Sequence, residues 1–362
     1  MVYSSDRDLL RDIRASWRAD GVDERARPLR VDWDNVRGDF LIQYRCMEAG
    51  AKTYDLGLAW AWEFDRDFVQ LIEDAAGAAG IVPFRIERAT VGEVLEQLRK
   101  QRLWLRVVLD RASDEDESFL PFSRYVLRCY RSPGAHPPLR VINPPDLSAR
   151  AADKATMHLE FLSHGVEVPY TIIISPYNLK REVELSLSEL ARLGRPFVIK
   201  PANTTGGGVG VVMGAETLKD ILDSRQRHKN DKYLLQELVR PALLDGRRAW
   251  FRVFYAFGAI LPCWWDDQTH VYREVTPEDD AAFGLAALRQ ITSRIQEVCR
   301  LDFFSTELVY TSERRFIAVD YVNEMCDMRL QSRHADGVPD AVVRRIAREM
   351  VAFVARETGR SG

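Results

Sequence analysis

The chain has 362 residues, of which 46% are hydrophobic and 29% charged, with a formal net charge of −3. That length can form two or three domains with sizeable cores, and the composition is globular. So small a net charge gives no electrostatic case for nucleic acid or a membrane surface as partner.

The N-terminus, MVYSSDRDLLRDIRASW, is charged and lacks the apolar centre of a secretory signal. Residues 1–37 read as a charged helix and a linker, with GVDERARP at the junction. Residues 38–152 read as an α/β domain. FVQLIEDAAGAAG has helical spacing, IVPFRI is a short strand, VGEVLEQLRKQR a second amphipathic helix and LWLRVVLD a buried strand. This alternation predicts a mostly parallel sheet. The acidic stretch DRASDEDESF, which begins at Asp110, reads as a solvated loop without chemistry, and RSPGAHPP is a breaker cluster. Asp153 can cap a helix whose first turn carries Lys154, with Met157, Leu159, Phe161 and Leu162 as its apolar side. That helix stops at Gly165, and a strand starts near Val168, where Pro169 fits a strand start or an edge.

The most informative stretch is RPFVIKPANTTGGGVGVV, from Arg195 to Val212. It reads as strand, Gly-rich loop and strand. Glycines let backbone N–H groups approach an anion closely, and Lys200, at the strand end, adds a point charge that a phosphate can use. The competing reading is a β-hairpin with a long glycine turn. No Gly-Lys-Ser/Thr follows, and no helix opens after the glycines, which excludes a Walker A loop and a dinucleotide fingerprint. KYLLQELV is a buried-type strand ending near Glu237. In RRAWFRVFYAF, Arg252 stands among apolar neighbours and needs an anionic partner unless it faces outward. Trp264 and Trp265 alternate faces of the next strand, so at most one of them faces a pocket. STELVYTSERRFIAVDYVNEM predicts a hairpin turning at Ser312–Arg314, which sets Glu307 and Asp320 on adjacent strands. The last helix, in PDAVVRRIAREMVAFVAR, reads as structural. The five cysteines, Cys46, Cys129, Cys263, Cys299 and Cys326, are scattered without CxxC spacing. They fit reduced thiols, and the expected compartment is the cytoplasm.

The order Asp-Lys, Gly-Val-x-Val-Pro-x-Thr, Lys-Pro, Gly-rich loop, Gln-Glu-hydrophobic, strand arginine and paired acidic strands resembles the ATP-grasp superfamily. Within it, the order is similar to ligases of the ribosomal-protein-S6 glutamate-adding and glutathione synthetase type. The resemblance spans roughly residues 140–330. It implies an ATP-grasp fold, mixed α/β and α+β: a pre-ATP-grasp domain (38–152), a lid (153–236) and a C-terminal subdomain (237–362) with a metal-binding sheet. By the same resemblance Lys154 and Lys200 contact ATP, and Thr204, Thr205, Gly206, Gly207 and Gly208 close over its phosphates. Gln236, Glu237, Leu238 and Val239 form the hinge that meets adenine. Arg252 contacts phosphate or acyl phosphate, which makes it catalytic together with Lys200. Relatives hold ribose with an acid two residues before the strand arginine. Here that position is Trp250, and Asp245 is a weak substitute.

Mg²⁺ prefers oxygen ligands, usually one or two carboxylates plus phosphate oxygens. The resemblance assigns Glu307, Asp320 and Asn323 to two Mg²⁺ ions, with Mn²⁺ as a substitute. Relatives carry Glu-x-Asn on the second strand, whereas this chain has Asp-Tyr-Val-Asn followed by Glu324. Either a bulge returns Asn323 to the metal face, or Glu324 shares the duty. Arg329, Arg333 and Arg273 are candidate substrate contacts, with Trp264, Trp265 and His270 as pocket walls. The resulting expectation is a Mg-ATP-dependent carboxylate–amine ligase acting through an acyl phosphate on small-molecule or peptide substrates, with room for a homodimer. Two alternatives stay open: a small-molecule kinase of the same superfamily, whose acceptor pocket would be strongly basic, and a nucleotide-binding subunit without turnover.

Overall fold

The computed structural model describes residues 51–132, 138–203 and 208–360. The expected N-terminal helix and linker, Cys46, Thr204, Thr205, Gly206 and Gly207 lie outside the described residues.

The first unit is a four-stranded parallel sheet of order β2-β1-β3-β4. Its strands are β1 (Lys52–Trp60), β2 (Pro83–Ile86), β3 (Leu103–Arg111) and β4 (Arg140–Ile142). Each connection is a helix: α1 (Arg66–Ala78), α2 (Val91–Arg99) and α3 (Leu120–Arg131). The central strand β3, LWLRVVLDR, is buried nearly throughout, as a parallel strand covered on both faces must be. Phe68, Val69, Ile72 and Ala76 form the buried stripe of α1.

Two short helices lead onward. Pro145 opens α4 (Pro145–Ala152). Asp153 then caps α5 (Lys154–Ser163), accepting from the N–H groups of Ala155 at 3.0 Å and Thr156 at 3.2 Å. The predicted apolar side of α5 needs correction. Met157 and Phe161 are buried with Ala155 and His158, but Leu159 and Leu162 are more than half exposed. Leu159 and Leu162 share a face at i,i+3, and that face points to solvent.

A second, antiparallel sheet has the order β5-β8-β6-β7, with β5 (Thr171–Ile174), β6 (Phe197–Pro201), β7 (Val212–Ala215) and β8 (Tyr233–Glu237). Its helices, α6 (Leu187–Leu193) and α7 (Leu218–Arg225), both start in capping boxes, Ser186–Glu189 and Thr217–Asp220. Gly210 closes the Gly-rich loop at φ +81°, and a Cβ there would lie 3.1 Å from Pro201. Both facts demand glycine.

After the small hairpin β9 (Leu243–Leu244) and β10 (Arg247–Arg248) comes a five-stranded antiparallel sheet of order β13-β12-β11-β14-β15. Its strands are β11 (Trp250–Ala256), β12 (Ala259–Trp265), β13 (Tyr272–Glu274), β14 (Phe303–Tyr310) and β15 (Phe316–Asn323). The short helix α8 (Pro277–Phe283) precedes α9 (Ala286–Cys299), which packs with α5 on one face of this sheet. The final helix α10 (Asp340–Glu357) shares a core with α1, with strands of the parallel sheet and with Phe254, Ala256 and Phe303 on the other face.

Polar contacts tie the parallel sheet to the large one. Arg111, at the end of β3, forks onto Asp65 at 2.7 and 2.8 Å and donates to the Cys326 carbonyl at 2.9 Å, all in the interior. Asn143 follows β4 in a left-handed conformation, φ +52°, which asparagine tolerates. Its Oδ1 accepts from the N–H groups of Asp302 and Phe303, and its Nδ2 donates to the Phe303 carbonyl. Breaking a buried pair from one side strands the other charge. Asp65→Asn is therefore expected to destabilise the fold by about 3–5 kcal/mol, read as a lower urea midpoint. A midpoint within error of the parent would mean that Arg111 finds another partner.

Candidate nucleotide and metal site

One transverse row of the large sheet assembles most of the charge. Backbone register sets Cys263 opposite Arg252, Arg252 opposite Glu307, and Glu307 opposite Asp320. Residues directly opposite in a ladder share a face, so the row needs no further folding to converge. Arg252 donates through Nη2 to Glu307 Oε1, and Trp250 Nε1 donates to Glu307 Oε2 at 3.1 Å. The Arg252 guanidinium lies 4.8 Å from the centre of the Trp265 ring, a cation–π contact. Its Nε is buried without a partner.

Two lysines arrive from outside the sheet. The cap at Asp153 fixes the start of α5, which brings Lys154 Nζ to 3.6 Å from Asp320 Oδ1. Lys200, at the end of β6, donates to the Val319 carbonyl at 2.8 Å. Val319 is the extra residue between the pairs Leu308–Ala318 and Glu307–Asp320, so a bulge supplies this acceptor. Burial pulls the Lys200 pKa below its ordinary value, against the raising effect of Asp320 and Glu307. Burial alone would raise the Asp320 pKa, but the charges of Lys154, Lys200 and Arg252 outweigh it and hold the carboxyl below the usual range.

A second register shift lies between Ser305–Asn323 and Glu307–Asp320. It sets Asn323 opposite Ser305, on the face that carries Glu307 and Asp320. This is the first of the two readings that the spelling Asp-Tyr-Val-Asn left open. Glu324 lines a cavity beyond the strand end, within electrostatic reach of Lys154 and Asp320.

The donor set can be tested against Mg²⁺. Among the described residues no group of three or more His, Cys, Asp or Glu side chains is disposed to hold a metal. Two carboxylates and an amide oxygen on one face nevertheless suit an ion that takes one or two carboxylates and draws its remaining ligands from phosphate and water. Three cations face Glu307 and Asp320, with Glu324 in reach of Lys154, so the site is close to neutral before any metal binds. A metal ion fits only together with an anion such as a polyphosphate.

The residues expected to meet adenine lie at the end of β8 and just beyond it. Gln236 is buried in β8 and donates to the Tyr321 hydroxyl at 2.7 Å and to Thr171 Oγ1 at 3.1 Å. Glu237 accepts from the Tyr170 N–H at 2.8 Å, so its side chain serves the backbone. Leu238 and Val239 continue from the strand end half-buried, and Val239 packs near Trp250. Gly208 has φ +77° at the described edge of the loop. Asp245 lies at the exposed turn between β9 and β10, 3.8 Å from Arg247.

The three predicted substrate arginines lie in different surroundings. Arg329 is held by Asp327 and Asp336, at 2.7 and 2.9 Å, and Arg333 pairs with Asp67 of α1 at 2.8 Å. Both are engaged by aspartates, as Arg252 is by Glu307. Arg273 pairs in register with Trp264 and so lies on the sheet face away from Arg252. Trp264 is core, 4% exposed, whereas Trp265 stands on the Arg252 side and stacks on His270 at 5.3 Å.

Sequence reasoning overlooked His158. Its Nδ1 lies 2.7 Å from the Tyr321 hydroxyl. Gln236 already donates to that oxygen, so the tyrosine proton is assigned to His158 Nδ1 and the ring is neutral, with its proton on Nε2. The sequence signal was a histidine one turn from Lys154 on a helix docked against the acidic strand.

No protein-family model matches the sequence, and no curated protein matches it. Solved structures do. An ATP-grasp RimK-domain protein from Sphaerobacter thermophilus is 17% identical, with a TM-score of 0.54 over 82% of this chain and 98% of its own. The ATP-grasp ligase PsnB, complexed with its precursor peptide and AMPPNP, is 14% identical, with a TM-score of 0.54 over 84% of this chain and 97% of its own. D-alanine–D-alanine ligase from Bacillus anthracis, complexed with ATP, is 12% identical, with a TM-score of 0.56 over 84% and 99%. At such identities the likeness is one of fold, and the chain has the ATP-grasp fold.

Burial holds the His158 pKa at about 4, below the 6.5 of a free histidine. The unfolded chain then binds this proton first as pH falls. Stability is intact above pH 6.5 and drops by up to about 3 kcal/mol on the way to pH 4. His158→Gln should lose that part of the dependence. Thermal midpoints measured from pH 7 to pH 4 check it, and parallel curves for parent and variant would refute it.

Proposed function

We propose that the chain is a Mg-ATP-dependent carboxylate–amine ligase that forms ADP and phosphate. The observation that carries this reading is the convergence of Lys154, Lys200 and Arg252 on Glu307 and Asp320 across one row of the sheet. Catalysis of phosphoryl transfer is mainly positioning and electrostatic stabilisation, and this arrangement suits both tasks. The fold neighbours include a structure complexed with ATP and one with AMPPNP and a peptide, which supports ATP as co-substrate and a small molecule or peptide as acceptor.

Bound Mg²⁺ supplies Lewis-acid stabilisation of the phosphate oxygens, and Glu307, Asp320 and Asn323 are the residues that would hold it. In the reading proposed here, a substrate carboxylate oxygen attacks the γ-phosphorus, and the bond to the β,γ-bridging oxygen breaks with its electron pair leaving on ADP. Arg252 and Lys200 orient the incoming oxygen and offset the charge that develops. An amine lone pair then attacks the acyl carbon of the acyl phosphate. The carbon–oxygen bond breaks, inorganic phosphate leaves with the electron pair, and the amine proton passes to solvent. Lys154 keeps Asp320 ionised throughout. The Gly-rich loop ending at Gly208–Gly210 would close over the phosphates with backbone N–H groups. The kinase alternative draws its basic acceptor pocket from Arg329 and Arg333, which pair with Asp327, Asp336 and Asp67 instead of facing the Arg252 row.

Asp320→Asn and Glu307→Gln should each lower turnover by about 10²-fold or more, because metal clamps contribute several kcal/mol. Near-parental rates in both would move the ligands elsewhere. Calorimetry should also find ATP affinity that depends on Mg²⁺.

Ligase and kinase separate by product. Turnover with a carboxylate panel should release ADP and free phosphate in equal amounts, and hydroxylamine should trap a hydroxamate. A stable phosphorylated product in the phosphorus NMR spectrum, with no hydroxamate, would overturn the ligase reading and leave the fold untouched.

A further inference from the structure

The face of the large sheet that carries the site is divided into two rows. Beside the charged row of Arg252, Glu307 and Asp320 runs a second one, two residues away along β11 and β14. There register sets Trp250 opposite Val309, and Val309 opposite Ile317. Side chains two apart on a strand share a face, so both rows look the same way. The rows lie about 7 Å apart, a span that one phosphate and a sugar cover. Val309, Ile317 and Val319 are buried, and the half-buried Trp250 and Val239 pack against them. The second row therefore leads from the charged site to the segment after β8 that is expected to meet adenine.

The second row is apolar except for one atom. Trp250 Nε1 donates to Glu307 Oε2 at 3.1 Å, and Glu307 Oε1 accepts from Arg252, so both oxygens of that carboxylate are engaged. Glu237 accepts from the Tyr170 N–H, and Asp245 stands on an exposed turn beside Arg247. The Trp265 ring lies 6.1 Å from that of Trp250, but it is already occupied. Arg252 is 4.8 Å from its centre, and His270 stacks on it at 5.3 Å. The Trp250 indole is thus an aromatic surface at the edge of a row whose cations suit a polyphosphate. A nucleotide has the matching division, with charge on its phosphates and none on its sugar and base.

We propose that the sugar of the bound nucleotide packs on the Trp250 indole and that its 2′-hydroxyl makes no hydrogen bond to the row of Trp250, Val309 and Ile317, so that the protein takes 2′-deoxy-ATP as readily as ATP. The inference rests on the ATP-dependent reading above and narrows its nucleotide specificity, with Trp250 as the determining residue. A site built to hydrogen-bond a hydroxyl rejects the analogue that lacks it by about 10⁴–10⁵-fold, because its own polar groups are left unpaired. Here removal of the hydroxyl strands nothing, since Trp250 keeps its bond to Glu307. The indole is half-buried, so a hydroxyl beside it keeps its water. The contact of the sugar C–H groups with the ring is the same in both nucleotides.

The test is calorimetric titration of the full chain with Mg-ATP and with Mg-2′-deoxy-ATP. The two carry equal charge, so salt screens them alike and a difference reports the sugar. Their dissociation constants should agree within about threefold, and a preference for ATP of about fivefold or more, the net effect of one ordinary hydrogen bond, would overturn the proposal. Trp250→Ala should weaken both nucleotides by the same factor, about fivefold or more. Trp250→Phe keeps a ring and loses the N–H donor, and it should hold both near their parental values. Inorganic tripolyphosphate with Mg²⁺ has no sugar and should bind the two variants alike. Unchanged nucleotide affinity in Trp250→Ala, with a thermal midpoint showing it folded, would also overturn the proposal and leave the indole a packing residue. Should that variant fail to fold, the ratio of the two nucleotides in the parent decides alone. Binding of neither nucleotide would sink the ATP-dependent reading and this inference with it, whereas a preference for ATP sinks only this one.

Discussion

The site depends on one constraint, the hydrogen-bonded register of three neighbouring strands. Arg252, Glu307 and Asp320 lie side by side because β11, β14 and β15 pair at those positions. A charged row of this kind is costly on an otherwise apolar sheet. It is tolerated because each charge has a partner within the row or a lysine above it. The price appears as bulges: β15 breaks its ladder on either side of Asp320, and the residue that bulges, Val319, is the one whose carbonyl receives Lys200. The irregularity is therefore where the small sheet grips the large one.

That grip has a counterpart on the other face of β15. Tyr321 follows Asp320 and points the opposite way, into the network of His158, Gln236 and Thr171. Lys154 and His158 sit one turn apart on α5, so this single helix presents one residue to Asp320 and another to Tyr321. Lys200 and Gln236, both on the small sheet, contact Val319 and Tyr321 in turn. Two consecutive pairs of contacts thus clasp a three-residue stretch of β15 from both faces. Any hinge movement of the small sheet would have to exchange these particular contacts.

Much of this was legible in the sequence because it is local or ordered. The strand–glycine loop–strand around Lys200, the cap at Asp153 and the hairpin that pairs Glu307 with Asp320 each follow from patterns within about twenty residues. The bulge was one of two readings left by the extra residue before Asn323. What could not be read was charge cancellation at long range. Arg333 sits beside the acidic strand in sequence, yet its partner, Asp67, lies on a helix more than two hundred residues away. Arg273 failed for a different reason. Strand alternation leaves two choices of face, and only register with Trp264 decides between them. Leu159 and Leu162 show the same ambiguity on a helix, where a short apolar cluster points to two adjacent stripes and the docking of Met157 and Phe161 selects one.

The acidic loop after β3 shows how far a segment's surroundings depend on where the preceding strand ends. A run of aspartates and glutamates is usually a solvated surface, and nothing within DRASDEDESF argues otherwise. Its meaning comes from where β3 ends. Parallel strands with helical crossovers deliver the loops at their C-terminal ends to one edge of the sheet, and the buried fork of Arg111 onto Asp65 and Cys326 pins that edge against the segment after β15. Asn143 does the same from β4 by capturing the backbone of Phe303. The two anchors flank the cavity, so the fold's own docking contacts hold Asp110, Asp114 and Glu324 around it without any attraction between them. Like charges are kept together by bonds made elsewhere.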